Sequence, residues 1–389
     1  MTSIQVKDLE KILITEKEKI LIIALPGLGD ALMSTPMLAL LRKAKPDAEI
    51  HILVMFAATR ELFLTNPNLD FIHYFDFINV NKVEGFLYLM HLRKMSFDVS
   101  VNIYPENRRE YNFFSFLLGA KKRIGFRYRH RNWQNLNWLN TDLISEDDSY
   151  HCVEENVRIL SAIGISPEMR EDILPKLELH LLPEHIAFAE DWMLHNTNHE
   201  SRTTNRELFI GFHAGTALFK NHIMRRWAPE KFAELAKKLK QELGATIFLF
   251  GGPDDIEPNE IIKKICGDGI IEVKTKSILD SVAIMQKMSL FVSNDSALMH
   301  IAGALDLPTV AIFGPTNETY VHPWKTKYEI VHTGIECRPC FYYSPKPLTC
   351  YRSPEEHFLC MRNIEVEMVF EAVMQVRTKQ KDERLKNYD

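Results

Sequence analysis

One rhythm constrains the fold of this chain more than any other feature. Apolar, β-branched runs bounded by turn residues recur as KILIIAL (19–25), EIHILV (49–54) and FDVSVNI (97–103), with helix-like stretches such as PMLALLRKA and VEGFLYLMHLRK between them. Strands that alternate with amphipathic helices form βα units, and βα units feed a parallel sheet. HNTNHESRTTNRE (195–207) breaks the rhythm; it is polar, has no apolar period and reads as an interdomain linker. The rhythm restarts with LFIGFHAG (208–215), PEKFAELAKKLKQELG (229–244), ATIFLFGGP (245–253), SILDSVAIMQKM (277–288), LFVSN, TVAIFGP and YEIVH (328–332). Pro at its start and Gly at its end punctuate 229–244 as a helix. The sequence thus predicts an α/β protein of two successive halves, 1–194 and 208–365, joined by 195–207 and followed by a helix and charged tail at 366–389.

Composition narrows the function classes. A chain of 389 residues has room for two cores, and a formal net charge of −5 argues against a general nucleic-acid binder. The N-terminus MTSIQVKDLEKILITEKEK mixes both charge signs with no apolar core before Ile20, unlike a secretory signal. No apolar run approaches the roughly 18 residues that span a bilayer. The expectation is a cytoplasmic protein with reduced cysteines, unless a metal holds some of them.

The candidate chemistry lies in loops that follow strands. In ALPGLGDALMS (24–34), Gly27 and Gly29 give G-x-G, but Leu32 leaves the dinucleotide fingerprint incomplete, so a nicotinamide enzyme is a weak reading. Asp30 stands where a strand gives way to a helix, at the sheet edge where open α/β folds place ligands; helix capping is its bland alternative. FHAGTALFKNHIMRRW (212–227) carries Gly215, Thr216, Lys220, Arg225 and Arg226, small residues and cations suited to phosphate. FGGPDD (250–255) ends the next strand, with Asp255 a candidate acceptor for ribose hydroxyls. SNDSALMHIAGA (293–304) puts Asp295 and Ser296 at a helix start and His300 one turn on. His300 is open to three roles: catalysis, ligand contact or packing. Four such loops in two halves point to a nucleotide-bearing ligand held across a cleft.

These pieces, together with GAKKRIGF, HCVEENVRILSAIGI, RRWAPEKFAELAKKL and FVSNDSALMHIAGALDLPTVAIFGPTNE, run in order over about residues 19–370. In them the chain resembles glycosyltransferase family 9, the heptosyltransferases of lipopolysaccharide core assembly. The resemblance implies a GT-B fold of two Rossmann-like domains, the first binding acceptor and the second nucleotide-sugar. It implies an inverting, metal-independent transfer of heptose from ADP-heptose, with Asp30 at the position of the general base. Thr216, Arg225 or Arg226, and backbone N–H groups after Asp295 would then receive the leaving diphosphate, with Asp255, Ser296 and His300 around the donor. Two departures bear on donor preference: Arg225 stands where the family usually has Lys, and Ala297 where many members have Gly. Another nucleotide-sugar, or a protein acceptor such as an autotransporter, is the alternative within the fold; a non-catalytic nucleotide-sugar binder is the alternative outside enzymes.

Two further clusters stand apart. GAKKRIGFRYRHRNWQNLNW (119–138) concentrates Lys121, Lys122, Arg123, Arg127, Arg129 and Arg131 among Tyr128, Trp133 and Trp138. It reads either as a solvated loop or as a surface for a phosphorylated, lipid-linked acceptor at a membrane face; no nucleic-acid recognition motif accompanies it. Cys152 and Cys266 stand alone as ordinary thiols, whereas Cys337, Cys340, Cys350 and Cys360 give C-x2-C-x9-C-x9-C. In a reducing compartment that spacing suits a structural zinc or iron site better than disulfides, with free thiols as the bland alternative. Protein-modifying members of the family it resembles hold iron in a four-cysteine finger. No cofactor is expected for the chemistry itself.

Overall fold

The structure, a computed structural model, describes residues 17–105, 107–129, 132–197, 208–267, 269–341 and 347–386. Most of the expected linker, together with Arg131, lies outside the described residues.

The first half alternates β1 (Lys19–Ala24), α1 (Leu28–Leu32), α2 (Thr35–Ala44), β2 (Glu49–Val54), α3 (Ala57–Phe63), β3 (Phe71–Tyr74), α4 (Lys82–Arg93), β4 (Val99–Asn102), α5 (Arg109–Leu118), β5 (Lys122–Arg127), β6 (Asp142–Ser145), α6 (Cys152–Arg158) and α7 (Pro183–Asn196). The second continues with β7 (Phe209–His213), α8 (Pro229–Leu243), β8 (Thr246–Leu249), α9 (Ile256–Cys266), β9 (Ile270–Glu272), α10 (Ile278–Met285), β10 (Leu290–Asn294), α11 (Ala297–Ala304), β11 (Thr309–Ile312), α12 (Glu318–Val321), β12 (Tyr328–Val331), α13 (Leu359–Arg362) and α14 (Val366–Lys386).

Every pairing between these strands is parallel. The sheet orders are β3-β2-β1-β4-β5-β6 and β12-β11-β10-β7-β8-β9, so each half is a doubly wound, Rossmann-like sheet. Helices cover both faces, which is why the central strands β1, β4 and β10 are buried along nearly their whole length. β1 and β10 read as largely apolar runs, whereas β4 alternates and its buried Ser100 and Asn102 are paired with Ser115 and Asn112. The order reverses between β1 and β4 in one sheet and between β7 and β10 in the other. Ligands in open α/β sheets bind beyond the carboxyl ends of strands at such reversals. The loops after β1, β7 and β10 are therefore in the right place before any side chain is considered.

Local punctuation follows the sequence. α8 begins at Pro229 and stops at Gly244, which takes the left-handed φ of +64° that a β-carbon would disfavour. α7 runs into the expected linker as far as Asn196 and rests on the second half: His185 meets Asp280 of α10 at 2.9 Å, and Trp192 lies 6.3 Å from Phe248 of β8. Other ties cross between halves. Trp324 Nε1 donates to Pro175 O (3.0 Å), His151 Nε2 lies 3.0 Å from His322 O, and Ser277 at the start of α10 bonds Glu61 of α3. One apolar cluster contains both Ile22 of β1 and Phe248, Phe291 and Trp324 of the second half, so the two cores are continuous.

Candidate active site

β1 delivers the chain through Leu25-Pro26 into the short helix α1, where Gly27 is the N-cap and Asp30 sits in the first turn. Asp30 is thus not the N-cap, although its carboxylate accepts from the Gly27 N–H, as an acid in the first turn does in a capping box. Burial pushes its pKa up to about 7, and the charges of Lys220 and Arg225, then the Gly27 N–H, oppose that rise while Asp295 adds to it. A carboxyl that titrates near neutrality, held at the mouth of a sheet reversal, is suited to accept a proton.

Across the cleft, three strand ends are knitted by a buried histidine that the motif reading passed over. His213, the last residue of β7, places Nε2 3.2 Å from Asp255 Oδ2 and Nδ1 2.8 Å from Ser296 Oγ. Asp255 also accepts from the Gly252 N–H at 2.8 Å, and Arg226 Nη2 lies 3.5 Å from its other oxygen. Its pKa falls below the ordinary carboxylate value: burial would raise it, but the bond and charge of His213, the Gly252 N–H and Arg226 outweigh that. A β-carbon on Gly215 would lie 1.5 Å from Asp255 Oδ1, so only glycine lets the two loops approach. Asp255 is 5% exposed and engaged by these partners. Ser296 makes no side-chain cap bond to α11; its hydroxyl is shared with His213 and Ser293.

The two adjacent arginines do different work. Arg226 is a strut: Nη2 donates to Thr216 O (2.5 Å) and Asp254 O (3.0 Å). Arg225 reaches toward the cleft, donating to Asp295 Oδ2 at 2.6 Å, with Nη2 3.1 Å from His222 Nδ1 and its guanidinium 5.7 Å from the Phe341 ring centre. Thr216 Oγ1 donates to His222 O at 2.9 Å. Asn294 holds the frame, accepting from Trp227 N (3.0 Å) and donating to Ala214 O (2.8 Å).

His300 packs where the halves meet. A β-carbon on Gly29 would lie 2.8 Å from His300 Cδ2 and 3.2 Å from Ala297 Cα. Burial lowers its pKa to about 4, with His322 and Arg225 acting the same way against Asp295, so the imidazole is neutral. Its Nδ1 is buried without a hydrogen-bond partner, as are Arg108 Nε, His222 Nε2, Arg225 Nε and Thr316 Oγ1. Buried polar atoms are ordinarily paired. The orphans on Arg225, and on His300 and His222, which both feel the charges of Arg225 and Asp295, are therefore the ones suited to bond a polar ligand.

The basic stretch is largely spoken for. Lys121 and Lys122 pair with Asp98 (2.7 Å) and Asp142 (3.4 Å), Arg129 pairs with Asp148, and Arg123 donates to Leu139 O and Ala120 O. It also exposes aromatic surface: Trp133 and Trp138 stack at 5.8 Å while 76% and 54% exposed, and Phe113 and Phe116 of α5 are exposed as well. The four cysteines lie close enough to act on one another. Burial pushes Cys360 up to about 11, with Cys340, Cys337 and Cys350 adding to it; Cys340 is raised likewise. Among the described residues, however, no three His, Cys, Asp or Glu side chains stand at metal-ligand spacing. As arranged, the thiols do not form a closed ligand set.

The chain matches the family model of glycosyltransferase family 9 (heptosyltransferase) over residues 90–351. It is 24% identical over 355 residues to a lipooligosaccharide heptosyltransferase 2 of Campylobacter jejuni serotype O:2, covering 88% of this chain and 93% of that one. A second such protein, of Campylobacter jejuni serotype O:6, is 31% identical over 165 residues, 40% of this chain and 48% of its own length. The solved Escherichia coli ADP-heptose lps heptosyltransferase II superposes with a TM-score of 0.68 at 20% identity, over 93% of this chain and 99% of that one.

Proposed function

Because this chain belongs to glycosyltransferase family 9, we propose that it transfers a heptose from ADP-heptose to a lipopolysaccharide core acceptor, with inversion and without a catalytic metal. Asp30 takes the proton from an acceptor hydroxyl as that oxygen attacks the anomeric carbon. The bond from that carbon to the diphosphate breaks in the same displacement, and ADP leaves with the electron pair. Arg225 and the backbone N–H groups at the start of α11 receive its charge, in the place a divalent ion would otherwise fill. The observation that carries this reading is the pairing across the cleft: a carboxyl raised to about 7 on one side, and on the other an Arg225 whose Nε is buried without a partner. Thr216, Arg226, Asp255, Asp295 and Ser296 support the cradle from behind, Asp295 by fixing Arg225. His300 supports it by packing against Gly29.

Two finer readings accompany it. The outward Trp133, Trp138, Phe113 and Phe116 support contact with a membrane-bound acceptor, since aromatic rings favour the headgroup layer. Among the described residues no helix is long and apolar enough to cross a membrane, so the contact would be peripheral. The cysteine spacing supports a structural zinc or iron, which the loop around 337–360 would have to close upon.

The direct test is a panel of nucleotide-sugars offered with a lipid-linked core acceptor in anionic vesicles, scored by release of the nucleoside diphosphate. Turnover of ADP-heptose above the others is expected. Preference for a uridine or guanosine donor would overturn the donor assignment, and equal turnover with a soluble acceptor and no vesicle binding would remove the membrane contact.

A further inference from the structure

We propose that Lys220 is a positioning residue for the transfer, a cation whose place opposite Asp30 is fixed from behind by the cysteine-rich segment. The proposal rests on Asp30 being the base. Lys220 and Asn221 interrupt the short 3-10 stretch Phe219–Arg225 with left-handed backbones, φ +56° and +60°. Asn tolerates that region; a Lys there costs roughly 1–2 kcal/mol, so something must hold it.

The clasp is visible. Leu348 N donates to Lys220 O at 2.9 Å, and Asn221 Nδ2 donates back to Leu348 O at 2.9 Å. Leu348 is itself buried with Phe341 and Phe358, and Met224 and Cys350 pack on that cluster. The donor-side loop is therefore tied to the cysteine-rich segment at Lys220 itself and at Asn221. The same segment supplies the Phe341 ring beneath Arg225 and edge-on to His222.

The clasp holds the backbone from which the half-buried Lys220 side chain springs, and charges from both halves act on that side chain. The groups that act on it are Arg108 and Asp30 from the first half and Arg225 from its own. Those that act on Asp30 are Lys220, Arg225 and Asp295, with the Gly27 N–H from its own turn. His222, beside Arg225, is pushed down to about 3 by burial and by the cations Arg225 and Lys220, so it adds no charge. Lys220 ranks first among the charges that oppose the effect of burial on Asp30. Burial, then Arg108, lowers Lys220 itself to about 8, and its partner Asp30 limits that fall. The ammonium is thus charged while Asp30 ionises and is lost above about pH 8.

The test is the titration of the Asp30 carboxyl by 13C NMR in protein labelled at aspartate, with the resonance assigned by Asp30→Asn. It needs no substrate, so it stands apart from the donor panel that tests the transferase reading. Lys220→Met should raise the Asp30 midpoint by about one pH unit, the shift expected on losing a nearby opposite charge. Lys220→Arg should restore it. Asn221→Ala, which keeps the lysine and removes one bond of the clasp, should move the midpoint in the same direction as Lys220→Met by a smaller amount. In turnover, Lys220→Arg should keep the acidic limb of kcat/KM and lose the alkaline limb near pH 8. An Asp30 midpoint unmoved in Lys220→Met would overturn the proposal. So would ADP affinity falling tenfold with the midpoint unchanged, which would make Lys220 a diphosphate contact instead.

Discussion

At the scale of single residues, Gly29 shows how a motif can be legible and its reason hidden. The sequence offers Gly27-x-Gly29 as a fragment of a dinucleotide loop; in the structure Gly29 is the face on which Ala297 and His300 of the other half rest. Because one of those contacts is backbone, it cannot swing aside. Gly29→Ala should part the halves locally, lowering kcat/KM by tenfold or more at a cost of about 1–3 kcal/mol in stability, read by turnover and thermal melting. A variant with wild-type turnover and melting would show that the seam yields freely. Asp30, Arg225, Asp295 and Ser296 could be singled out as candidates because each lies in a stretch that follows a strand pattern. His213 could not, since its partners Asp255 and Ser296 are 42 and 83 residues away and only sheet order brings the three ends together. His300 was open to three roles; the structure packs its ring against Gly29, and its unpartnered Nδ1 keeps contact with a ligand as the second role we propose for it.

At the scale of elements, the parallel strands were readable because both faces are covered, which makes them apolar runs with turn residues at each end. Helix α8 was readable to its last residue through Pro229 and Gly244. The stretch Phe219–Arg225 was not, because Lys220 adopts a backbone that its own propensity opposes and that Leu348, far along the chain, maintains. The cysteine-rich segment poses the complementary problem: its spacing implies a ligand set, and the thiols gather without closing into one. Metal analysis of the purified protein should find about one zinc or iron per chain, lost in Cys337→Ser/Cys340→Ser with a lower melting temperature. A folded wild type free of metal would return the four residues to ordinary thiols.

At the scale of the whole molecule, the sequence separated two α/β halves, and the structure joins them. α7 precedes the polar stretch yet rests on α10, Trp324 reaches Pro175, and the apolar cluster continues through the seam. Patterning within a half reports which face of an element is buried, but not which half buries it, so these contacts left no separate trace in the sequence. The joined arrangement brings the Asp30 carboxyl at one sheet reversal within electrostatic reach of Arg225 at the other, where we propose that the leaving diphosphate is received. That division of labour is the central claim, and Asp30→Asn measures it most directly. With ADP-heptose and acceptor at pH 7.5, the variant should bind ADP within about twofold of wild type by calorimetry while kcat falls by roughly 10²–10⁴-fold. Wild-type turnover in Asp30→Asn, or turnover lost only in step with ADP affinity, would contradict it.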